Sequence, residues 1–362
     1  MYLAPSKQII MNKFKFYFIL FSTLLVLFSS CNKDDDEVAS TPLRDFGAQF
    51  KTDSISIDKY LQTHYLNLDG VTDIASVVNS ADLIKKMPTT GTLPPSIFTL
   101  YNSPNLPRLL IKKIKKHDIT YSVYYLQFSE GDSSEKPCPY DEVLVTYRGT
   151  SLKSETDVLT QELIVTETEF ENSPVANLFN LGTVFVKGWP EIFPMFGKGV
   201  FDETATGNGP NVYTNYGAGI MFLPSGLAYY QQSPQTNIPS YSPLVFSFQL
   251  LNFKRIDNDN DGILTVDELA ANSDGVYADT DGDGVYDFGD IDDDNDGFTT
   301  RNETKYINPS DPLSEVHYYP FNGTSTDDPN TLWVDERQGI PSCSNDFTTP
   351  TRKRKHLDNT CH

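Results

Sequence analysis

The chain has 362 residues, 38% of them apolar, which allows two or three units with their own cores and excludes one long disordered tail. Its formal charge of -21 argues against a nucleic-acid partner, because phosphate binding needs a basic surface, and favours cations or a well-solvated exterior. No Ser–His–Asp arrangement, histidine pair at metal spacing or phosphate-cradling glycine loop is present; His64, His117, His317, His356 and His362 are scattered.

Lys13 and Lys15 precede an apolar run, Phe16 to Phe28, that closes on Ser29, Ser30 and Cys31. This is the charged, apolar and small-residue order of an export segment, and the run is short for a membrane span. It resembles a bacterial lipoprotein signal, which implies removal of residues 1–30 and a membrane anchor through lipid on Cys31, with Met11 able to serve as the start. Cys31-Asn-Lys-Asp-Asp-Asp-Glu37 resembles the lysine-plus-acid export signal of surface-directed lipoproteins of the Bacteroidota. That resemblance implies an outer-membrane protein exposed at the cell surface, with residues 31–43 as anchor and linker; a solvated linker on the periplasmic face is the alternative.

Residues 44–107 read as a partly helical extension. Ile57, Tyr60, Leu61, Tyr65 and Leu68 fall near helical spacing, and Ser56 followed by Asp58 predicts the helix start. Pro88, Pro94, Pro95, Pro104 and Pro107 predict a loop-rich connection.

From Arg108 to Ile256 the pattern becomes that of strands. Ile119–Phe128 is rich in β-branched and aromatic residues. In 141–149, Val143, Val145 and Tyr147 share a face, as do Leu244, Phe246, Phe248 and Leu250 in 244–251. Phe185 and Val186, followed by Gly188, Trp189 and Pro190, predict a strand turning into a short helix, with Trp189 placed to floor a pocket. The fold class is α+β, an antiparallel sheet wrapped on a short helix.

These residues carry a resemblance. Val-Thr-Tyr147-Arg-Gly149, Phe170-Glu171, Phe179-Asn-Leu-Gly182, Val186-Lys-Gly-Trp189, Leu223-Pro-Ser-Gly-Leu-Ala-Tyr229, Ile238-Pro239 and Leu244-Val-Phe246 follow one another as in FKBP-type peptidyl-prolyl isomerases, which residues 108–256 resemble. The resemblance implies Trp189 as the pocket floor, Tyr147, Phe170, Val186, Tyr229, Ile238 and Phe246 as walls, and Phe179 beside them. Glu171 stands where that family has aspartate, Tyr230 replaces a glycine, and the Thr150–Glu169 and Gly199–Gly219 connections are lengthened. The implied reaction is rotation about an X-Pro bond without nucleophile or cofactor. Its barrier of roughly 18–20 kcal/mol is lost amide resonance, which an apolar cavity lowers by favouring the twisted amide. Implied partners are proline-containing secreted or outer-membrane clients. The alternative is a non-catalytic proline-peptide docking site in an envelope or secretion assembly.

Residues 257–304 form an acidic module with 16 acids and one base, Arg301, between Asp257 and Glu303. Asp257, Asp259, Asp261, Gly262, the Ile263 carbonyl and Glu268 reproduce an EF-hand calcium loop. A second loop offers Asp279, Asp281, Asp283 and Asp290, and a third Asp292, Asp294, Asp296 and Glu303. Starting 22 and then 13 residues apart, they resemble thrombospondin type 3 repeats more than a calmodulin-like pair, implying structural Ca²⁺. In the 305–362 tail, Asn308–Pro312 breaks structure, Trp333 reads as packing, and the basic run 351–356 faces acidic loops, lipid headgroups or solvent. Cys343 and Cys361 either close a loop in an oxidising compartment, leaving Cys138 over, or stay free; their spacing fits no zinc motif.

Overall fold

The computed structural model describes residues 42–202, 211–269, 276–307, 313, 315–323, 339–347 and 349–362. The export segment, Cys31 and its linker, the Thr-Gly-Asn-Gly-Pro run ending at Pro210, the Asn308–Pro312 break and Trp333 lie outside these residues. The chain divides into two units, Met1–Arg44 and Asp45–His362. Among the described residues no helix is long and apolar enough to cross a membrane.

Helix α1 (Phe46–Thr63) begins at Asp45, whose carboxylate accepts the Ala48 N–H at 2.8 Å. The start expected at Ser56 is corrected. Ser56 lies inside the helix, its hydroxyl donating to the Thr52 carbonyl, and Tyr65 falls beyond it in β1 (His64–Leu66), which pairs with β2 (Ile84–Lys86). The apolar period marked the buried face of α1, whereas the cap that starts the helix lies eleven residues upstream of Ser56.

The strands β3 (Arg108–Lys116), β4 (Ile119–Glu130), β5 (Glu142–Thr156) and β6 (Leu163–Asn180) come next. Then follow helix α2 (Trp189–Ile192), the short pair β7 (Val200–Phe201) and β8 (Tyr213–Thr214), and the strands β9 (Gly217–Leu223) and β10 (Leu244–Lys254). A six-stranded antiparallel sheet has the order β3-β4-β9-β10-β5-β6. The lengthened Thr150–Glu169 connection is a hairpin rather than a loop. β5 and β6 stay paired out to Thr156 and Leu163, and Asp157 closes the turn by accepting the Leu159 and Thr160 N–H groups at 2.8 Å.

Both faces of this sheet are covered. One face packs Tyr147, Phe246, Phe248 and Val143 against Trp189, Ile192 and Phe193 of α2 and its continuation. The other packs Leu126, Ile220, Phe222 and Val245 against Ile57, Tyr60 and Leu61 of α1 and against Val78 and Leu83. The 44–107 extension is thus the second layer of the core. Polar residues of β10 on that side are bonded rather than solvated: Ser247 Oγ donates to Asn79 Oδ1 at 2.9 Å, and Gln249 Nε2 to the Ala75 carbonyl at 2.9 Å.

The C-terminal part contains the short helices α3 (Thr265–Glu268) and α4 (Thr300–Glu303) and the pair β11 (Lys305–Ile307) and β12 (Val316–Tyr318). This part meets the sheet segment through Phe288, whose ring lies 4.5 Å from that of Tyr140, and at the junction Arg255 donates from Nη1 to the fully buried Asp141 at 2.5 Å. Cys343 and Cys361 form a disulfide with a Cα–Cα separation of 5.8 Å, and Cys138 is a buried free thiol. The basic run turns partly inward: His356 is buried, and Lys353 pairs with Asp358 at 3.3 Å.

Candidate functional site

The segment before Trp189 is not a strand. Phe185 and Val186 lie on irregular backbone that tightens into a turn, with the Trp189 N–H donating to the Val186 carbonyl at 3.1 Å. The apolar pair resembled half a strand, but it has no strand partner among the described residues. Its two side chains instead diverge, Val186 into the core and Phe185 to the surface. Gly188 is needed here because a Cβ would stand 2.5 Å from the Leu223 side chain.

Around this corner lies a cleft of about 350 Å³ lined by Tyr147, Glu171, Phe179, Val184, Phe185, Val186, Trp189, Tyr229 and Phe246. Trp189 is 5% exposed and meets four rings edge-on, with centroids at 5.3 Å for Tyr147, 5.2 Å for Phe179, 5.4 Å for Phe193 and 5.3 Å for Phe246. Such edge-to-face packing fixes the indole plane from several sides. Its buried N–H has no acceptor among the described residues.

Of the expected pocket residues, Tyr147, Glu171, Val186, Trp189, Tyr229 and Phe246 line the cleft, whereas Phe170 and Ile238 do not. Phe170 stands behind Phe246, with ring centroids 5.6 Å apart, on the bare backbone of Gly149, where a Cβ would come within 2.4 Å of its ring. Ile238 is buried in the same core. Val184 and Phe185 are lining residues that the expected set omitted. Phe185 stacks on Tyr229, with centroids 5.2 Å apart, and this half-exposed pair forms the rim. Adjacency to Trp189 was the available signal for Phe185.

Burial, then the hydrogen bond to Glu171 and its charge, push the Tyr147 phenol well above its usual range. Burial and the Glu171 charge also push Tyr229 up. Both therefore remain neutral at physiological pH, with the Tyr147 hydroxyl engaged by Glu171. Beside them, Tyr230 adopts φ 52°, the left-handed conformation in which glycine is unstrained. Its ring stacks on Phe46 of α1, centroids 4.3 Å apart, and Asp53 of the same helix accepts the Ser225 N–H at 2.7 Å and hydroxyl at 2.6 Å. The helix thus clamps the turn that carries Tyr229.

The acidic loops share one construction. In the first, Asp257 accepts the Gly262 N–H at 3.0 Å, Asp259 the Asp261 N–H at 3.1 Å and Asp261 the Ile263 N–H at 2.7 Å. In the third, Asp292, Asp294 and Asp296 accept from Gly297, Asp296 and Phe298 in the same register. One oxygen of each aspartate shapes the loop, and the opposite oxygens of Asp257, Asp259, Asp261, Asp292 and Asp294 are buried with no donor among the described residues. Both oxygens of Glu268 and of Glu303 are likewise buried and undonated. Desolvation first, and then the neighbouring aspartates, push Glu268 up to about 10 and Glu303 up to about 8. Orphaned carboxylates at EF-hand spacing fit a hard divalent cation.

The second loop is more open. Asp279, Asp281 and Asp283 bring one oxygen each within 4.8 Å of one another, but that group does not include Asp290, which instead accepts the Asp292 N–H at 3.0 Å.

The fold and cleft together define a mixed protein with a mostly antiparallel sheet and few helices. The family described as BamM C-terminal matches residues 258–332. No curated protein matches the sequence. Similar solved structures include FkpA from Escherichia coli, at 24% identity and TM-score 0.27 over 42% of this chain and 54% of that one. This chain therefore spans about half the length of FkpA. They also include a peptidyl-prolyl cis-trans isomerase from Pseudomonas syringae pv. tomato, at 17% identity and TM-score 0.27 over 46% of this chain and 100% of that one. The N-terminal domain of FKBP42 from Arabidopsis thaliana is similar at 15% identity and TM-score 0.25 over 36% of this chain and 86% of that one.

Proposed function

We propose that this chain is an FKBP-type peptidyl-prolyl isomerase, lipid-anchored through Cys31 at the outer membrane, that acts on X-Pro bonds of secreted or outer-membrane proteins. The observation that supports this most is the convergence of Tyr147, Phe179, Trp189, Tyr229 and Phe246, which the sequence spreads over 100 residues, on one cleft. A proline ring would sit against Trp189, and the Tyr229 hydroxyl would donate to a substrate carbonyl. The low-polarity walls favour the twisted amide, whose charge separation is reduced, over the planar one. Since the uncatalysed isomers differ by only about 0.5–1 kcal/mol, the site has only to lower the barrier, and each ~1.4 kcal/mol is tenfold in rate. In the acidic loops Ca²⁺ would be held by Asp257, Asp259, Asp261, the Ile263 carbonyl and Glu268, and by Asp292, Asp294, Asp296 and Glu303, as a structural brace.

The test is an X-Pro peptide isomerisation assay on the purified chain, with Trp189→Ala and Tyr229→Phe. Catalysis is expected in the unaltered chain and its loss in Trp189→Ala; an unaltered chain no faster than solvent overturns the enzyme reading. The match of residues 258–332 to the family described as BamM C-terminal favours a second reading, in which the same cleft docks a proline segment within an outer-membrane assembly. That reading predicts saturable peptide binding without acceleration.

A further inference from the structure

Asp293 belongs by sequence to the third loop, at its second position, between the expected ligands Asp292 and Asp294. In the other two loops that position is held by Asn258 and Thr280. The three are matched in backbone setting: Asn258 N–H donates to Thr265 Oγ1 at 3.1 Å, Thr280 N–H to Asp287 Oδ1 at 2.8 Å and Asp293 N–H to Thr300 Oγ1 at 3.4 Å. Their side chains differ in outcome. Thr280 donates its hydroxyl to Asp287 at 2.9 Å, whereas Asp293 is 2% exposed and both its oxygens lack a donor among the described residues.

Asp293 is aimed away from its own loop. One of its oxygens lies with one oxygen of Asp261 and one of Glu268, all within 4.8 Å of one another, and these two residues belong to the first loop. Asp261 is 2% exposed and Glu268 7% exposed, so all three carboxylates are withdrawn from bulk solvent. Three buried carboxylates at this distance repel strongly unless a cation or protons stand between them. Arg301 borders the same loop, where a Cβ on Gly262 would come within 3.0 Å of its Nη1, yet it donates to none of their orphaned oxygens.

We infer that Asp293 is a ligand of the cation held by the first loop, supplied across from the third. The inference rests on the calcium reading above and adds to it a coupling between the two sites. Filling the third loop orders Asp292, Asp294 and Glu303 around one ion and so fixes Asp293 for the other. Coupling of this kind is reciprocal, so filling the first loop also raises the affinity of the third. A loop of 12 residues whose second position is occupied by a buried charge is thus a joint between repeats rather than an isolated cage.

Calorimetric Ca²⁺ titration of the purified chain and of Asp293→Asn, Glu268→Gln and Glu303→Gln tests this. Asp293→Asn is expected to weaken one site about 10- to 100-fold, the usual cost of losing a supporting group at a metal site. Its effect should vanish in a Glu268→Gln background, where that site is already disabled. Glu303→Gln should weaken the first site in the unaltered chain but not in the Asp293→Asn chain. Unchanged Ca²⁺ affinity in Asp293→Asn, accompanied by a more heat-stable chelated chain, overturns the inference, since Asp293 is then only a buried acid relieved by neutralisation. If the unaltered chain binds no Ca²⁺, the calcium reading falls and this inference with it; if it binds and Asp293→Asn is silent, only the inference falls.

Discussion

The aromatic cleft and the acidic loops are both candidate sites, but they are organised by opposite means. Trp189 is held by Tyr147, Phe179, Phe193 and Phe246, so the cleft is complete from side-chain packing alone. The first and third loops fix their backbones with one oxygen of each aspartate and leave the opposite oxygens of Asp257, Asp259, Asp261, Asp292 and Asp294, and both oxygens of Glu268 and Glu303, buried without a donor among the described residues. A site built from apolar contacts is ready before its ligand arrives. A site built from like charges has a fold that depends on its ligand, because binding free energy becomes folding free energy.

Calcium removal should separate the two most sharply. In chelator, protease is expected to cut between residues 257 and 303 while the six-stranded sheet keeps its circular dichroism; a module that stays resistant in chelator contradicts this division. Trp189→Ala should do the reverse. It leaves a cavity beneath the cleft and should lower the stability of the sheet unit by about 3–5 kcal/mol in urea unfolding, with Ca²⁺ titration unchanged.

The third contrast is in pH. In the folded module without Ca²⁺, burial first and then the neighbouring carboxylates push Glu268 up to about 10, Asp293 to about 9 and Glu303 to about 8, above their ordinary carboxylate values. A group whose pKa is raised by folding contributes stability that is present in acid and lost as pH rises toward the raised value. From pH 7 to 9 the module should therefore lose stability, by at most about 1.4 kcal/mol per pH unit for each group still protonated. His356, held down to about 3 by burial, acts oppositely but only below its ordinary value, outside this window. The rate of protease cutting between residues 257 and 303 in chelator, slowest at the acid end and rising toward pH 9, measures the slope. With Ca²⁺ bound the slope should vanish.

How much of this could be read from the chain alone follows the same division. The cleft was legible because its residues follow one another in an order that resembles FKBP-type isomerases, and the loops because carboxylates and glycine recur in a fixed register. What escaped depended on contacts distant in sequence. The alternation of β10 marked one apolar face but not the role of the other, where Ser247 and Gln249 bond to Asn79 and Ala75 under the N-terminal layer. Phe185 looked like strand but lines the rim, and Asp293 occupies a loop position that the cation pattern ignores. The start of α1 was set by Asp45, a cap outside the apolar period.

The smallest expected effect concerns the turn after the cleft. Tyr230→Gly relieves left-handed strain of about 1–2 kcal/mol but removes the stack on Phe46, about 0.5–1.5 kcal/mol, so urea unfolding should move by no more than about 1 kcal/mol. Phe46→Ala loses the stack without the relief and should be the more destabilised of the two.

The most direct measurement is the X-Pro isomerisation rate of one preparation before and after chelation. Every residue lining the cleft lies between Tyr147 and Phe246, outside the acidic loops. Acceleration over the uncatalysed rate should therefore be present with Ca²⁺ and survive its removal. No acceleration in either state, or acceleration that disappears with the cation, contradicts a cleft that packing alone makes competent.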